Sequence, residues 1–122
     1  MYELRIESDF AAAHYLREYE GKCENLHGHN WKIEIILRGA ELGKAGMLMD
    51  FKNARAIVNE VLERFDHKYL NELEEFKTVN PTTENLSRML YESIGVKLPG
   101  GVRVQRVTCW ESERCGASYF EE

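Results

Sequence analysis

Residues 29–39, HNWKIEIILRG, restrict the fold more than any other stretch. Trp31, Ile33, Ile35 and Leu37 alternate with Lys32, Glu34 and Arg38. Side chains along a strand point to opposite faces in turn, so this segment is a strand with one apolar and one polar face. Such a strand needs sheet neighbours and a covering layer. The N-terminal YELRIESDF repeats the pattern, with Tyr2, Leu4 and Ile6 against Glu3, Arg5 and Glu7. Gly39 ends the second strand, and the glycine-rich GAELGKAGM reads as loop.

Two helices follow. Asp50 is an N-cap residue, and Phe51, Ala54, Ile57, Val58, Val61, Leu62 and Phe65 form one apolar stripe that ends near Asp66. In NPTTEN, Pro81 lies just outside a second helix. Thr82 or Thr83 caps it, and Glu84 sits where the helix dipole favours an anion. Leu86, Met89, Leu90 and Ile94 form its stripe, and Gly95 and Pro99 end it. GVRVQRVTCWE and CGASYFE read as two more strands, with SER as the hairpin turn. The expectation is an α+β domain of order ββααββ: a four-stranded antiparallel sheet with two helices on one face. Its open edges invite pairing with another copy.

The chain of 122 residues amounts to one domain, residues 1–122, with no internal repeat or linker. A net charge of −5 without a Lys/Arg-rich run argues against nucleic-acid binding and against a basic membrane-surface helix. No apolar run approaches the roughly 20 residues of a membrane span. The N-terminus lacks the apolar core of a signal peptide, so a cytoplasmic protein is expected. Cys23, Cys109 and Cys115 are odd in number and fit no disulfide framework. Free thiols are expected, with Cys109 and Cys115 read as packing residues.

The chemistry concentrates in CENLHGHN, residues 23–30. His27 and His29 share a strand face with Trp31. His14, after the first strand, can add a third nitrogen if the two strands pair. Three imidazoles with one open position are the catalytic arrangement for zinc, whereas structural sites close all four. Cys23 can approach the same site as a nucleophile or base, or as a fourth ligand. In FDHKYLN, Asp66 can orient His67 and raise its basicity. Glu111, at a strand end, can accept two parallel N–H bonds from the edge of a ring such as guanine or pterin.

FAAAHYL, CENLHGHNW, MDF, FDHKYLN, NPTTENL and WES, in that order over nearly the whole chain, resemble the 6-pyruvoyl-tetrahydropterin synthase superfamily. The three-residue gap between Cys23 and His27 is similar to the 6-carboxytetrahydropterin synthase branch of queuosine biosynthesis. The resemblance implies the tunnelling fold, with sheets joined into a trimeric barrel and two trimers stacked into a homohexamer with active sites between subunits. It implies one Zn2+ per subunit on His14, His27 and His29, with Cys23 as general base and Asp66 and His67 as a proton relay. It implies Glu111 as pterin anchor, with Thr82 and Glu84 as further pterin contacts. The expected reaction converts 7,8-dihydroneopterin triphosphate to 6-carboxytetrahydropterin, acetaldehyde and triphosphate. The alternatives within the superfamily are pyruvoyl-tetrahydropterin formation and dihydroneopterin cleavage. A non-catalytic zinc-binding oligomeric module, with Cys23 closing the metal, is the alternative from another class. Gly28 is expected to let the chain turn between two crowded ligands.

Overall fold

A computed structural model describes residues 1–18 and 25–122. The elements run β1 (Tyr2–His14), β2 (His27–Gly39), α1 (Phe51–Leu62), β3 (Lys68–Tyr69), α2 (Thr83–Gly95), β4 (Arg103–Trp110) and β5 (Gly116–Tyr119), with two short 3-10 turns between β3 and α2. The sheet order is β3-β1-β2-β4-β5. The order ββααββ stands for the long elements. The expected four-stranded antiparallel sheet gains a fifth strand, because Lys68 and Tyr69 pair parallel with Ala12 and Ala13. The sheet is open, with β3 and β5 at its edges. No helix among the described residues is long and apolar enough to cross a membrane.

The alternation decides the layers. Ile6, Phe10 and Ala12 of β1, with Trp31, Ile33, Ile35 and Leu37 of β2, point to one face and are buried. Ala54, Val58, Val61 and Leu62 of α1 and Leu86, Leu90 and Ile94 of α2 complete the same core. Asp50 caps α1 by accepting from the Lys52 N–H, and Thr82 caps α2 by accepting from the Asn85 N–H. The other sheet face carries charges, paired as Glu3–Arg38, Arg5–Glu34 and Glu7–Lys32.

β4 departs from simple alternation. Ile36 pairs with Arg106, but Leu37 pairs with Val104, so Gln105 is an extra residue. The bulge shifts the inward phase from Val104 to Val107 and Cys109, all three buried. At Gly39 the backbone passes so close to its neighbour that a Cβ would stand 2.7 Å from the Gly101 carbonyl oxygen. Only glycine fits there.

Candidate metal centre

β1 runs four residues beyond the stretch legible as a strand and ends at His14, which pairs with His27. Ala12 faces His29, and Phe10 faces Trp31. His14 keeps the phase of Phe10 and Ala12, and His27 and His29 keep the phase of Trp31. The three imidazoles therefore continue the apolar face of the sheet past its last large side chain. Ring centroids lie 4.6 Å apart for His14–His27 and for His27–His29, and 5.2 Å for His14–His29. Trp31 forms the floor, edge-on to His14 and His29.

Glu111 closes the group. It follows the last residue of β4 in the phase of Cys109, hence on the helix-covered face. Its Oε1 lies 2.9 Å from His29 Nε2, 3.3 Å from His14 Nε2 and 3.9 Å from His27 Nε2. Its backbone N–H donates to the Cys115 carbonyl at 3.0 Å, which fixes the hairpin beneath it. Burial lowers the pKa of His29. The Glu111 carboxylate opposes that shift, and the two neighbouring histidines add to it. The neutral ring, the form that ligates metals, is favoured.

The donor set fits a cation. His14 Nδ1 is 2.8 Å from the Pro81 carbonyl oxygen, and His27 Nδ1 is 2.9 Å from that of Asn25. A carbonyl only accepts, so each Nδ1 carries the proton and each neutral ring turns its Nε2 lone pair inward. Those two Nε2 atoms are 3.0 Å apart. Facing lone pairs at that distance repel unless a cation or a proton lies between them. His29 Nε2 is buried, with Glu111 Oε1 2.9 Å away. The donor atoms of His14, His27, His29 and Glu111 all lie within 4.8 Å of one another, a group that can hold a metal ion.

The other expected residues fall in three places. Asp66 and His67 are paired, Oδ1 to Nδ1 at 2.9 Å, at the β1 edge. Asp66 Oδ1 also accepts from the Ala11 N–H, and the His67 N–H donates to the Ala11 carbonyl. The Ala11 N–H holds the Asp66 carboxyl below the usual carboxylate range, with His67 adding to the effect. His67 has φ 56°, a left-handed conformation that costs a non-glycine residue about 1–2 kcal/mol. Its ring is 82% exposed and borders the same grooves as Ala11, Asn30 and Lys32, away from the helix-covered side. A single chain therefore does not bring this pair into the histidine cluster. Thr82 and Glu84 begin α2, directly after the carbonyl that holds His14. Cys23 lies outside the described residues.

Two smaller expectations change. Gly28 is inside β2, opposite Ala13, and a Cβ there would meet nothing closer than 4.0 Å. It makes no turn and relieves no crowding. Cys109 is buried, its thiol pushed up to about 12, whereas Cys115 is exposed and does not pack.

Sequence reasoning missed two asparagines that support the site. Asn71 Oδ1 accepts from the Tyr15 N–H and its Nδ2 donates to the Tyr15 carbonyl, both at 2.9 Å. Asn80 does the same at Arg17, at 2.8 and 3.0 Å. Each side-chain amide mimics a strand neighbour and fixes the chain as it leaves His14. The pairing of Asn80 with Pro81 was the available signal, since Asn-Pro marks a turn.

The chain is similar to known proteins in both sequence and fold. A family model described as 6-pyruvoyl tetrahydropterin synthase matches residues 3–122. A dihydroneopterin monophosphate aldolase of Pyrococcus furiosus is 37% identical over 109 residues, 89% of each chain. A provisionally named 6-carboxy-5,6,7,8-tetrahydropterin synthase of Archaeoglobus fulgidus is 39% identical over 108 residues, 88% of this chain and 86% of its own length. The solved 6-pyruvoyl tetrahydropterin synthase of Caenorhabditis elegans superposes with a TM-score of 0.86 at 27% identity, covering 99% of this chain and 96% of that one.

Proposed function

The chain belongs to the 6-pyruvoyl tetrahydropterin synthase family, and from that premise we propose that it is a zinc-dependent lyase making 6-carboxytetrahydropterin. The substrate is 7,8-dihydroneopterin triphosphate, and acetaldehyde and triphosphate are released, in the 7-deazaguanine and queuosine branch. The observation that carries the metal-dependent part is the convergence of three imidazoles, two with Nδ1 held by backbone carbonyls. Zinc suits this donor set and, when bound, supplies Lewis acidity at the side-chain oxygens of the substrate.

The chain's own residues supply proton chemistry and orientation. Cys23 acts as general base on a side-chain proton. Asp66 holds His67 in the orientation and tautomer that let its outer nitrogen exchange a proton. Thr82 and Glu84 seat the pterin. The 2-amino and N3–H edge of a pterin lies a full bicyclic ring away from its side chain. Glu111, at the end of β4, is the carboxylate for that edge, and its partly exposed side chain can turn from the histidine nitrogens to reach it.

His67 lies off the helix-covered side, and β3 and β5 leave open edges. Both features support assembly through sheet edges into trimers, stacked as a cytoplasmic homohexamer with sites shared between subunits. A second reading within the family is cleavage to a 6-hydroxymethyl pterin, favoured by the similarity to the Pyrococcus aldolase. Incubation with 7,8-dihydroneopterin triphosphate and mass identification of the pterin separates the two. A 6-carboxy product is expected, and a 6-hydroxymethyl product would replace the first reading with the second.

A further inference from the structure

We infer that Glu111 is the fourth metal ligand of the substrate-free protein, an exchangeable carboxylate that the substrate's oxygens displace. The inference rests on the metal-dependent reading above and deepens it.

The geometry begins with the three nitrogens. A cation bound at about 2.0–2.1 Å by four donors in a tetrahedron places those donors about 3.3 Å apart. Glu111 Oε1 stands 2.9, 3.3 and 3.9 Å from the Nε2 atoms of His29, His14 and His27. Those separations bracket the tetrahedral edge. The oxygen thus faces all three imidazole nitrogens at separations close to that edge, where a fourth ligand would stand. An ordinary ion pair would lie against one ring and hydrogen-bond to it. Here one oxygen faces the ring nitrogens of three histidines at once.

Placement makes the ligand exchangeable. His14 is 1% exposed and sits within a paired strand, so it is held firmly. Glu111 follows the end of β4 at a hairpin turn, and its side chain is 34% exposed. It has a rotamer path to solvent that His14 lacks. The substrate brings two neighbouring side-chain oxygens, one of which would take the carboxylate's position while the other could raise the coordination to five. Glu111 then yields its place without altering the three nitrogen ligands. Until that moment the carboxylate keeps the cation from binding stray anions and lowers the net charge of the cluster.

The test uses the full chain, stripped of metal and reloaded with Co2+, without any pterin. Ligand-field absorption reports coordination, and competition with a chromophoric chelator reports affinity. Glu111→Gln is expected to weaken Co2+ and Zn2+ binding at least about tenfold, the scale on which even outer partners of metal ligands act. It should also change the cobalt spectrum, and Glu111→Asp should restore part of both. Oxidised neopterin, which keeps the side-chain hydroxyls, should shift the wild-type spectrum towards that of a site without carboxylate. Affinity within fivefold of wild type together with an unchanged cobalt spectrum in Glu111→Gln overturns the inference. So does a neopterin-bound spectrum that keeps the carboxylate signature. Thermal unfolding of the metal-free variants, equal to wild type within a few degrees, separates ligand loss from misfolding. A wild-type protein that shows the carboxylate ligand yet converts no dihydropterin overturns the enzymatic reading and leaves the ligand assignment standing.

Discussion

Glu111 stands beside His29 as Asp66 stands beside His67, a carboxylate oxygen 2.9 Å from a ring nitrogen in each case. The surroundings are opposite. The first grouping lies on the covered face, over Trp31, with two further histidines converging on it. The second lies on a strand edge, in a strained turn, with its ring open to solvent. Burial and multiple donors make the first a place for a charge that stays. Exposure and a single oriented ring make the second a place where a proton can come and go. The cluster is complete within one chain, while the pair is complete only in its backbone anchorage to Ala11.

That contrast breaks if metal binding and turnover cannot be separated by mutation. The largest effect is expected for His27→Ala, which should lower zinc affinity about 100-fold or more and abolish turnover. Metal content by mass spectrometry checks the first and product formation the second. Cys23→Ala should retain zinc and lose turnover by about 100- to 10,000-fold; full activity would remove Cys23 as base. His67→Asn tests the pair alone, because asparagine tolerates the left-handed backbone at this position. It should cut turnover by about 100-fold or more at unchanged zinc content. Loss of zinc in that variant would show that the two groupings are one.

Smaller effects sharpen the same comparison. Asn71→Ala leaves the Tyr15 backbone groups without partners and should cost about 1–3 kcal/mol in thermal or denaturant unfolding. Asp66 gives the smallest signal. Its folded-state pKa is depressed, so its stabilising contribution is present above the unfolded value of about 3.9 and is lost as pH falls through the folded value. Asp66→Asn should therefore flatten the acid limb of the stability curve below about pH 4 and leave its shape between about pH 6 and 8 unchanged.

The long elements were readable because their periodicity survives folding: Trp31 to Leu37 on β2, and the stripes of both helices. The histidine pair HxH was readable for the same reason. His14 was harder, since three alanines before it carry no alternation, and only its pairing with His27 shows that β1 reaches that far. That Glu111 faces the histidines was hidden for a physical reason. The bulge at Gln105 slips the phase of β4, so the upstream valines do not announce which way Cys109 and Glu111 point. β3 has two residues in a parallel pairing and therefore no period to detect. The left-handed turn at His67 is set by two bonds to Ala11, a contact between residues far apart in the chain.

The charge pairs on the uncovered sheet face have an electrical consequence. Glu3, Arg5, Glu7, Lys32, Glu34 and Arg38 contribute three charges of each sign, joined as Glu3–Arg38, Arg5–Glu34 and Glu7–Lys32. Seen from a distance they form a ladder of short dipoles. The potential of a dipole falls more steeply than that of a lone charge, and mobile ions attenuate it further within about 8 Å at physiological ionic strength. This face therefore exerts little pull on a passing polyanion. An anionic ligand approaching across it would be neither drawn in nor turned away, and its capture would fall to groups at the end of the sheet where the histidines stand.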